Sequence, residues 1–396
     1  MLNPRLAELN DYPFQRLRDL LDGHAPGGPG LAIALSLGEP QHPYPDLVGE
    51  VLHDNRFLYG KYPPVNGTPE LRRAIADWLG RRYGLDAGRI DPDANVMPLS
   101  GTREGLFMLA QIAVPRRKSG GRPIVQLPSP YYACYLGAAR MADAEPLLLA
   151  ATGETGNMPD FDLVPADTWA RTALVYLCSP ANPQGNFAPL DLLERLIERA
   201  REFDFVLAVD ECYAEIYART PPPGALQAAA RLGGGLDNLL VFHSLSKRSS
   251  VPGLRSGFVA GDARLIGEYH KLRGFGGAPS PLPVSAAATA LWNDEAHVEA
   301  NRALYRAKFD LGAEILGDRF GFTRPEGGFF LWLDVDDGER AALKLWREAG
   351  VRVLPGGYLA RPDGHGRNPG AAYIRLALVQ DEATTAEALT RVAATL

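Results

Sequence analysis

The sequence has few cysteines, no CxxC pair and no long apolar run. Three of its 396 residues are cysteine, at positions 134, 178 and 212. So sparse and odd a set fits a reducing compartment better than a disulfide framework, and its spacing is not that of a metal site. Apolar runs such as LAIALSL fall far short of the roughly 20 residues that cross a bilayer. We therefore expect no bound metal and no membrane partner.

The sequence also has no excess of basic residues and no targeting segment. Lys and Arg total 41 against 47 for Asp and Glu, a formal net charge of −6. A nucleic-acid binder needs a concentrated basic surface to neutralise phosphates, so we expect no nucleic-acid partner. The first residues, MLNPRLAELNDYPF, carry charges where a signal peptide needs an unbroken apolar core. These absences predict a cytoplasmic protein.

Short apolar runs alternate with helix-patterned segments through the middle of the chain. The runs NVMPL, PIVQL, ALVYL, FVLAVD, LLVFH and GFVAG lack two-residue alternation, as strands covered on both faces do. Segments with helical spacing, such as GLFMLAQIAV and PLDLLERLIERAREF, lie between them. This order predicts a large α/β domain over residues 48–280, with a mainly parallel sheet and helices on both faces.

The two ends of the chain have a different pattern. Residues 1–47 hold one short helical segment, a Pro/Gly-rich turn and one apolar run. After GAPSPLPVS comes a helical stretch over roughly 283–318, and then an α+β pattern that includes GGFFLWLDV, VRVLP and AYIRLALV. We predict that residues 1–47 and 281–396 fold together as a smaller α+β domain.

Polar residues follow five of the predicted strands. In an open parallel sheet, ligands bind at the carboxyl ends of the strands. Each segment has an ordinary structural explanation by itself: an Asp at a strand end is often a cap, a Lys in a Ser-rich loop is usually solvated, and SGT is a common start of a helix. The combination indicates function, because one cofactor needs all of these groups. The segments are SGTREGL, PSPYYACY, SPANPQG, DECY and SLSKRSSVPGLRSG.

That cofactor is pyridoxal 5′-phosphate. Its aldehyde condenses with a lysine amine, and its ring nitrogen needs an anion to stay protonated. Its phosphate needs a helix N-terminus with hydroxyl and guanidinium donors, and its ring needs a flat face to stack on. Lys247, Asp210 and Tyr132 would serve the aldehyde, the ring nitrogen and the ring face. The candidates around the phosphate are Gly101, Thr102, Ser244, Ser246 and Arg255.

Taken together, SPANPQG, DECYAE and SLSKRSSVPGLRSG resemble the class I and II aminotransferases of fold type I. The resemblance runs from LSLGEP at 35–40 to YIRLAL at 373–378, and KYPPVNGTPELRRAIADW at 61–78 is also typical of the family. It implies the fold type I architecture, a pyridoxal phosphate cofactor, and amino-acid and 2-oxo-acid substrates. Within the family, SKRSSVPGLRSGFVAG is most similar to the N-succinyldiaminopimelate aminotransferases of lysine biosynthesis.

The resemblance also implies a role for each matching residue. Lys247 would hold the cofactor and then move the substrate's α-proton, which requires an amine with a lowered pKa. Asp210 would pair with the ring nitrogen, and Asn182 and Tyr213 match the donors to the cofactor's phenolic oxygen.

Three further residues match positions that contact the substrate or a second subunit. Arg375 matches the arginine that clamps the substrate α-carboxylate, for which its planar fork is suited, and Gly38 matches a backbone contact to the same group. Tyr62 matches the tyrosine that reaches the phosphate of the neighbouring subunit, which implies a homodimer with shared sites; alternatively, it packs within its own chain. Where many relatives have Asn, this chain offers only Ser280, and Arg273 is a weak match for a distal arginine.

The resemblance and the motifs are compatible with three hypotheses about function. The first is transamination of N-succinyl-LL-2,6-diaminopimelate with 2-oxoglutarate and glutamate. The second is another class I/II aminotransferase, of the aspartate, aromatic or LL-diaminopimelate type, or a pyridoxal phosphate-dependent β-lyase on the same fold. The third is a cofactor-sensing regulator domain, which is disfavoured because neither the length nor the charge leaves room for a basic helix-turn-helix module.

Overall fold

A computed structural model describes residues 2–9, 12–363 and 365–396. The strands are β1 (Ile33–Ala34), β2 (Val96–Leu99), β3 (Ile124–Ser129), β4 (Glu145–Ala150), β5 (Thr172–Cys178), β6 (Val206–Asp210), β7 (Leu239–Ser244), β8 (Gly257–Gly261), β9 (Phe330–Asp334), β10 (Val351–Arg352), β11 (Leu354–Pro355) and β12 (Tyr373–Ala377). The α-helices are α1 (Pro13–Leu21), α2 (Asp46–Asp54), α3 (Pro69–Tyr83), α4 (Thr102–Ala113), α5 (Ala133–Met141), α6 (Ala166–Arg171), α7 (Leu190–Glu202), α8 (Ala225–Leu232), α9 (Leu245–Arg248), α10 (Ala263–Gly276), α11 (Leu282–Asn293), α12 (Ala296–Leu316), α13 (Gly338–Lys344) and α14 (Glu382–Thr395).

The largest element is a seven-stranded sheet with the order β2-β8-β7-β6-β5-β3-β4. Strand β8 runs antiparallel to both of its neighbours, and the remaining pairs are parallel. The predicted mainly parallel α/β sheet is therefore confirmed. Its parallel strands bring the carboxyl ends of β5, β6 and β7 to one edge, where ligands bind in sheets of this kind.

Helices cover both faces of this sheet, which explains the unbroken apolar character of its strands. In β5, Leu174 and Tyr176 belong to the core on one face, with α4, α5 and α10. Val175 and Leu177 point to the other face, where α3, α7, α8 and α11 complete a second core. None of these four side chains has more than 1% of its surface exposed, so a polar side chain at any of the four would be buried at a cost unless it found a hydrogen-bond partner.

A smaller α+β unit combines the two ends of the chain. Strands β11, β12 and β9 form an antiparallel sheet, and β1 pairs in parallel with β10. Ile33 and Leu35 share a core with residues of α12 and α14. The division into residues 48–280 and the two ends stays a prediction; α11, which it assigns to the smaller unit, packs against α2 and α3 of the larger one.

The helical stretch expected over 283–318 is two helices, separated at Asp294 and Glu295. The Asp294 carboxylate accepts a hydrogen bond from the backbone N–H of His297 (3.0 Å), so it satisfies a donor at the start of α12. In the described part of the chain, no helix combines the length and apolar character needed to cross a membrane.

Candidate active site

A cavity of about 470 Å³ lies at the carboxyl ends of β5, β6 and β7, between the large sheet and the smaller unit. It brings together eleven of the thirteen residues predicted from the sequence. These eleven are Gly38, Thr102, Tyr132, Asn182, Asp210, Tyr213, Ser244, Ser246, Lys247, Arg255 and Arg375. Gly101 packs directly beneath Arg255, and Tyr62 lies elsewhere.

Lys247 reaches the cavity from α9, a helix of four residues that follows β7 without a loop. The Ser244 hydroxyl caps this helix by accepting a hydrogen bond from the backbone N–H of Ser246 (3.1 Å). The lysine Nζ donates to the carbonyl oxygen of Gly38 in the N-terminal segment. Its hydrogen-bond partner is thus a neutral acceptor, and among the described residues the amine forms no ion pair.

The surroundings of Lys247 favour its neutral form. Burial lowers its pKa from 10.5 to about 8, and the positive charges of Arg375 and Arg255 act in the same direction. Cys212 and Glu39 oppose this shift. An amine with a pKa near 8 is available as a nucleophile and as a base at neutral pH, which an ordinary lysine is not.

Asp210 ends β6 and is buried, with 4% of its surface exposed. Its Oδ2 accepts a hydrogen bond from the Tyr135 hydroxyl (2.7 Å), and its Oδ1 accepts one from the backbone N–H of Cys212 (3.3 Å). Burial raises the pKa of this carboxyl group, although both hydrogen bonds work against the shift. Among the described residues, Asp210 forms no ion pair. A cationic ring nitrogen beside it would therefore offset the cost of burying its negative charge.

Tyr135 is a site residue that the sequence reasoning missed. It lies one helical turn after Tyr132 on α5, and its ring stacks on Tyr176 with the centroids 4.6 Å apart. The spacing of three between Tyr132 and Tyr135 places both on one face of a helix. That spacing was the available signal, because it puts the second tyrosine beside whatever the first one contacts.

Arg375 lies on β12 of the small antiparallel sheet and is buried. Its Nη1 donates to the side-chain oxygen of Asn182 (3.2 Å), and its Nη2 donates to the carbonyl oxygen of Ser36 (2.7 Å). Its Nε is buried without a hydrogen-bond partner in the described structure, and burial lowers its pKa to about 10. A buried guanidinium with neutral partners and an unused donor fits a carboxylate.

The other end of the cavity carries donors for an anion. Helix α4 begins at Thr102, and the first backbone N–H groups of such a helix have no partner within it. Arg255 donates to two carbonyl oxygens, those of Pro252 (2.8 Å) and Ser100 (3.4 Å). Gly101 has φ +87°, and a Cβ there would collide with the Arg255 guanidinium. This donor set fits a phosphate group.

Gly38 and Tyr213 lie beside Phe330 on one side of the cavity. A Cβ on Gly38 would lie 2.6 Å from Cζ of Phe330, so no other residue fits without a shift. Tyr213 is buried, and its ring stands edge-on to those of Phe329 and Phe330. Burial raises the pKa of the Tyr213 hydroxyl, which therefore stays a proton donor at neutral pH.

Two sequence expectations concern residues outside this cavity. Tyr62 is fully exposed, so the alternative that it packs within its own chain is wrong. Its neighbours Phe57 and Tyr59 are also exposed. Arg273 is buried, where its guanidinium binds Glu104 and the carbonyl oxygen of Ala278, which leaves it no role as a free distal arginine.

A second cavity, of about 560 Å³, adjoins the first. The two share the side chains of Tyr12, Arg103, Tyr131, Tyr132, Ala133 and Arg255. Its floor is largely apolar, with Leu9, Phe107, Met108 and Leu136. No sequence pattern marks this cavity, because its walls come from segments as far apart as residues 8 and 361.

Known proteins resemble this chain over nearly its whole length. The family model described as aminotransferase class I and II matches residues 33–392. An aminotransferase from Neisseria meningitidis is 40% identical with a TM-score of 0.93, and the match covers 99% of each chain. The 4-dedimethylamino-4-oxo-anhydrotetracycline transaminase OxyQ of Streptomyces rimosus is 33% identical, over 98% of this chain and 99% of its own. An LL-diaminopimelate aminotransferase of Desulforudis audaxviator is 30% identical, over 98% and 96%.

Proposed function

The chain belongs to the class I and II aminotransferases, which are pyridoxal phosphate-dependent enzymes. From this premise we propose that it transfers the amino group of N-succinyl-LL-2,6-diaminopimelate to 2-oxoglutarate and also catalyses the reverse transfer from glutamate. The observation that carries the proposal is the pair of adjoining cavities. One holds the groups for the cofactor and the α-carboxylate, and the other offers room and charge for a long acidic side chain.

The residues present fit the cofactor. Asp210 would hold the proton on the ring nitrogen, Tyr132 would lie against the ring, and Asn182 with Tyr213 would face the phenolic oxygen. The phosphate would be held by the start of α4 with Ser244, Ser246 and Arg255. When bound, the cofactor supplies an electron-withdrawing ring that stabilises negative charge on the substrate's α-carbon.

The side chains of this protein would bind and orient the substrate and move its α-proton. Arg375 would bind the α-carboxylate through its fork and so fix the orientation of the substrate's Cα–H bond. Burial lowers the pKa of Lys247 to about 8, so a usable fraction of the amine is neutral at neutral pH. In that form Nζ would take the α-proton from the substrate and later give it back. Gly38 would let the carboxylate approach the main chain closely, because glycine has no side chain.

The charge of the second cavity favours a succinylated substrate over free LL-diaminopimelate. Its lining contains four arginines and two glutamates, among the described residues. Glu104 binds Arg273, which lies outside the lining, and Glu8 lies 3.9 Å from Arg140. With Arg255 assigned to the phosphate, Arg103 and Arg361 supply the remaining positive charge of the lining. The distal end of the succinylated compound carries two carboxylates and no ammonium group, whereas that of LL-diaminopimelate carries one of each. A cationic, partly apolar cavity matches the first better.

Transamination of LL-diaminopimelate is the second candidate function, because several relatives about 30% identical to this chain are named LL-diaminopimelate aminotransferases. We also propose that the enzyme is a cytoplasmic homodimer in which Tyr62 of each chain serves the other's site. The exposed ring of Tyr62, a residue whose family match is to a cofactor contact, supports this arrangement.

The deciding experiment is a half-reaction screen. The purified holoenzyme is given glutamate, aspartate, phenylalanine, LL-diaminopimelate or N-succinyl-LL-diaminopimelate, and conversion of the cofactor to its amine form is followed by absorbance. We expect the highest kcat/KM with the succinylated compound and completion of the cycle by 2-oxoglutarate. A preference for LL-diaminopimelate would support the second candidate. Release of ammonia with pyruvate from added cystathionine, which carries a leaving group on its β-carbon, would identify a β-lyase.

A further inference from the structure

Three polar side chains form a line of hydrogen bonds behind Lys247, outside both cavities. They are His42 from the N-terminal segment and Asn301 and Lys308 from α12. Asn301 and Lys308 are buried, with 8% and 1% of their surfaces exposed. Burying an amide and an amine is costly unless each is fully hydrogen-bonded, so the bonds of this line need an explanation.

Asn301 contacts the main chain of the catalytic helix. Its Nδ2 donates to the carbonyl oxygens of Lys247 and Arg248, both at 3.1 Å. These are the last two residues of α9, and the final carbonyl groups of a helix have no acceptor role within it. Asn301 therefore satisfies the end of the four-residue helix that carries the catalytic amine and fixes its position relative to α12.

His42 fixes the orientation of the Asn301 amide. The distance from His42 Nδ1 to Asn301 Oδ1 is 2.7 Å, and His42 Nε2 lies 2.6 Å from Lys308 Nζ. Burial lowers the pKa of His42 to about 4, so the ring is neutral and has one donor and one acceptor. Because Lys308 can only donate, the proton lies on Nδ1 and the Asn301 oxygen accepts it. The amide nitrogen must then face Lys247 and Arg248.

The line also joins the segments that supply the other substrate-binding groups. Lys308 Nζ donates to the carbonyl oxygen of Leu378 (3.0 Å), three residues after Arg375. The Ser250 hydroxyl donates to the carbonyl oxygen of His42 (2.9 Å), four residues after Gly38. One set of hydrogen bonds thus connects α9, the N-terminal segment and the end of β12.

We propose that Asn301, oriented by His42 and Lys308, is a positioning residue that holds the Lys247 main chain in register with Gly38 and Arg375. It touches neither substrate nor cofactor and acts only through the helix that it anchors. Misplacing a reacting group by about 1 Å costs on the order of 100-fold in rate. The inference rests on Lys247 being the lysine that carries the cofactor.

The test compares Asn301→Asp with Tyr305→Phe. The first substitution keeps the volume and the acceptor for His42 but removes both donors to α9. The second removes a hydroxyl from a buried neighbour on α12 that has no hydrogen-bond partner in the described structure. We expect Asn301→Asp to lower kcat by about 10- to 100-fold with KM for the amino donor unchanged, and Tyr305→Phe to leave both parameters as they are.

A second readout does not depend on turnover. Apoprotein of each variant is mixed with pyridoxal phosphate, and the rate of covalent capture at Lys247 is followed across pH by absorbance. We expect slower capture and a shifted pH midpoint in Asn301→Asp but not in Tyr305→Phe. If Asn301→Asp does not fold, His42→Ala, which leaves the amide unoriented, should show the same changes at smaller size.

The outcomes separate this inference from its premise. Borohydride reduction of the wild-type holoenzyme, followed by peptide mass analysis, shows which lysine holds the cofactor. A label on another lysine overturns the premise. A label on Lys247 together with unchanged kcat and unchanged capture in the variant leaves Asn301 with a purely structural role and overturns the inference.

Discussion

The guanidinium of Arg375 lies against the side chain of Asn182, with Nη1 3.2 Å from the amide oxygen, although 193 positions separate the two residues. Asn182 follows β5 in the large sheet, and Arg375 lies in the small one. The residue proposed to face the cofactor and the residue proposed to bind the substrate are therefore in contact across the boundary between the two sheets.

We expect Arg375→Lys to lower kcat/KM by about 10- to 100-fold, mainly through KM. A lysine cannot make two parallel hydrogen bonds to a carboxylate, and a charge-assisted bond contributes about 1.5–3 kcal/mol. Steady-state kinetics with glutamate would measure the change. Asn182→Ala is the comparison, since it removes the neighbour but keeps the fork; an equal rise of KM in both variants would contradict the assignment.

Lys247→Ala should abolish both turnover and covalent attachment of the cofactor, because no other amine among the described residues lines the cavity. Lys271→Ala is the matched control: this lysine is exposed on α10 and pairs only loosely with Glu268 (3.6 Å). Absorbance spectra before and after gel filtration would show the loss. Retained activity in Lys247→Ala would falsify the proposed chemistry.

The capture of pyridoxal phosphate by the apoprotein should accelerate with pH and level off above about 8. Burial lowers the pKa of Lys247 to about 8, so the reactive neutral amine becomes about tenfold rarer with each pH unit below that value. Removing the positive charge in Arg375→Leu should move the midpoint upward, because Arg375 lowers this pKa. Stopped-flow absorbance would measure both curves; a midpoint near 10.5 in the wild type would contradict the geometry.

Asp210→Asn should have opposite effects on the apoprotein and on the holoenzyme. Burial raises the pKa of Asp210, so the folded apoprotein binds this proton more tightly than the unfolded chain does. Its free energy of unfolding therefore falls as pH rises from about 3.8 through the raised value. The variant apoprotein should gain thermal stability relative to the wild type over that interval.

With cofactor bound, the wild-type carboxylate gains its cationic partner, and Asp210→Asn should instead lose stability and about 100- to 1000-fold in kcat. Thermal unfolding of both forms at several pH values is the measurement. A stability difference that does not change with pH would show that the carboxyl group is not perturbed as described.

Hybrid dimers test the position of Tyr62. Coexpressed Lys247→Ala and Tyr62→Ala chains form dimers in which one site carries both defects and the other carries neither, if Tyr62 serves the partner's site. The hybrid should then regain about half of the wild-type activity, above that of either variant alone. Activity no higher than that of Tyr62→Ala would mean that each site uses its own chain's tyrosine.

Much of the site was predictable because it follows from sheet topology. Asp210 ends a strand whose apolar run is plain in the sequence, and Asn182 and Lys247 follow within four residues of two other such strands. The parallel order brings those strand ends together. Lys247 needed no contact information, since α9 follows β7 without a loop.

The residues that escaped prediction depend on contacts between distant segments. Asn301 meets Lys247 from 54 positions away, and His42 meets Lys308 from 266; nothing local marks these as partners. The break between α11 and α12 also escaped, because apolar spacing continues across it while the Asp294 carboxylate provides the cap. The second cavity is likewise a product of tertiary packing, since its walls share no sequence pattern.

The absence of space beside Gly38 has a consequence for engineering. In a library that varies position 38, nearly every variant would need the main chain at that position or the Phe330 ring to move. Diversity is better placed at Tyr12 and Phe14, which line the same cavity at the start of α1 and of which Tyr12 is exposed. New donor specificities should be sought by reshaping that rim while the floor is kept.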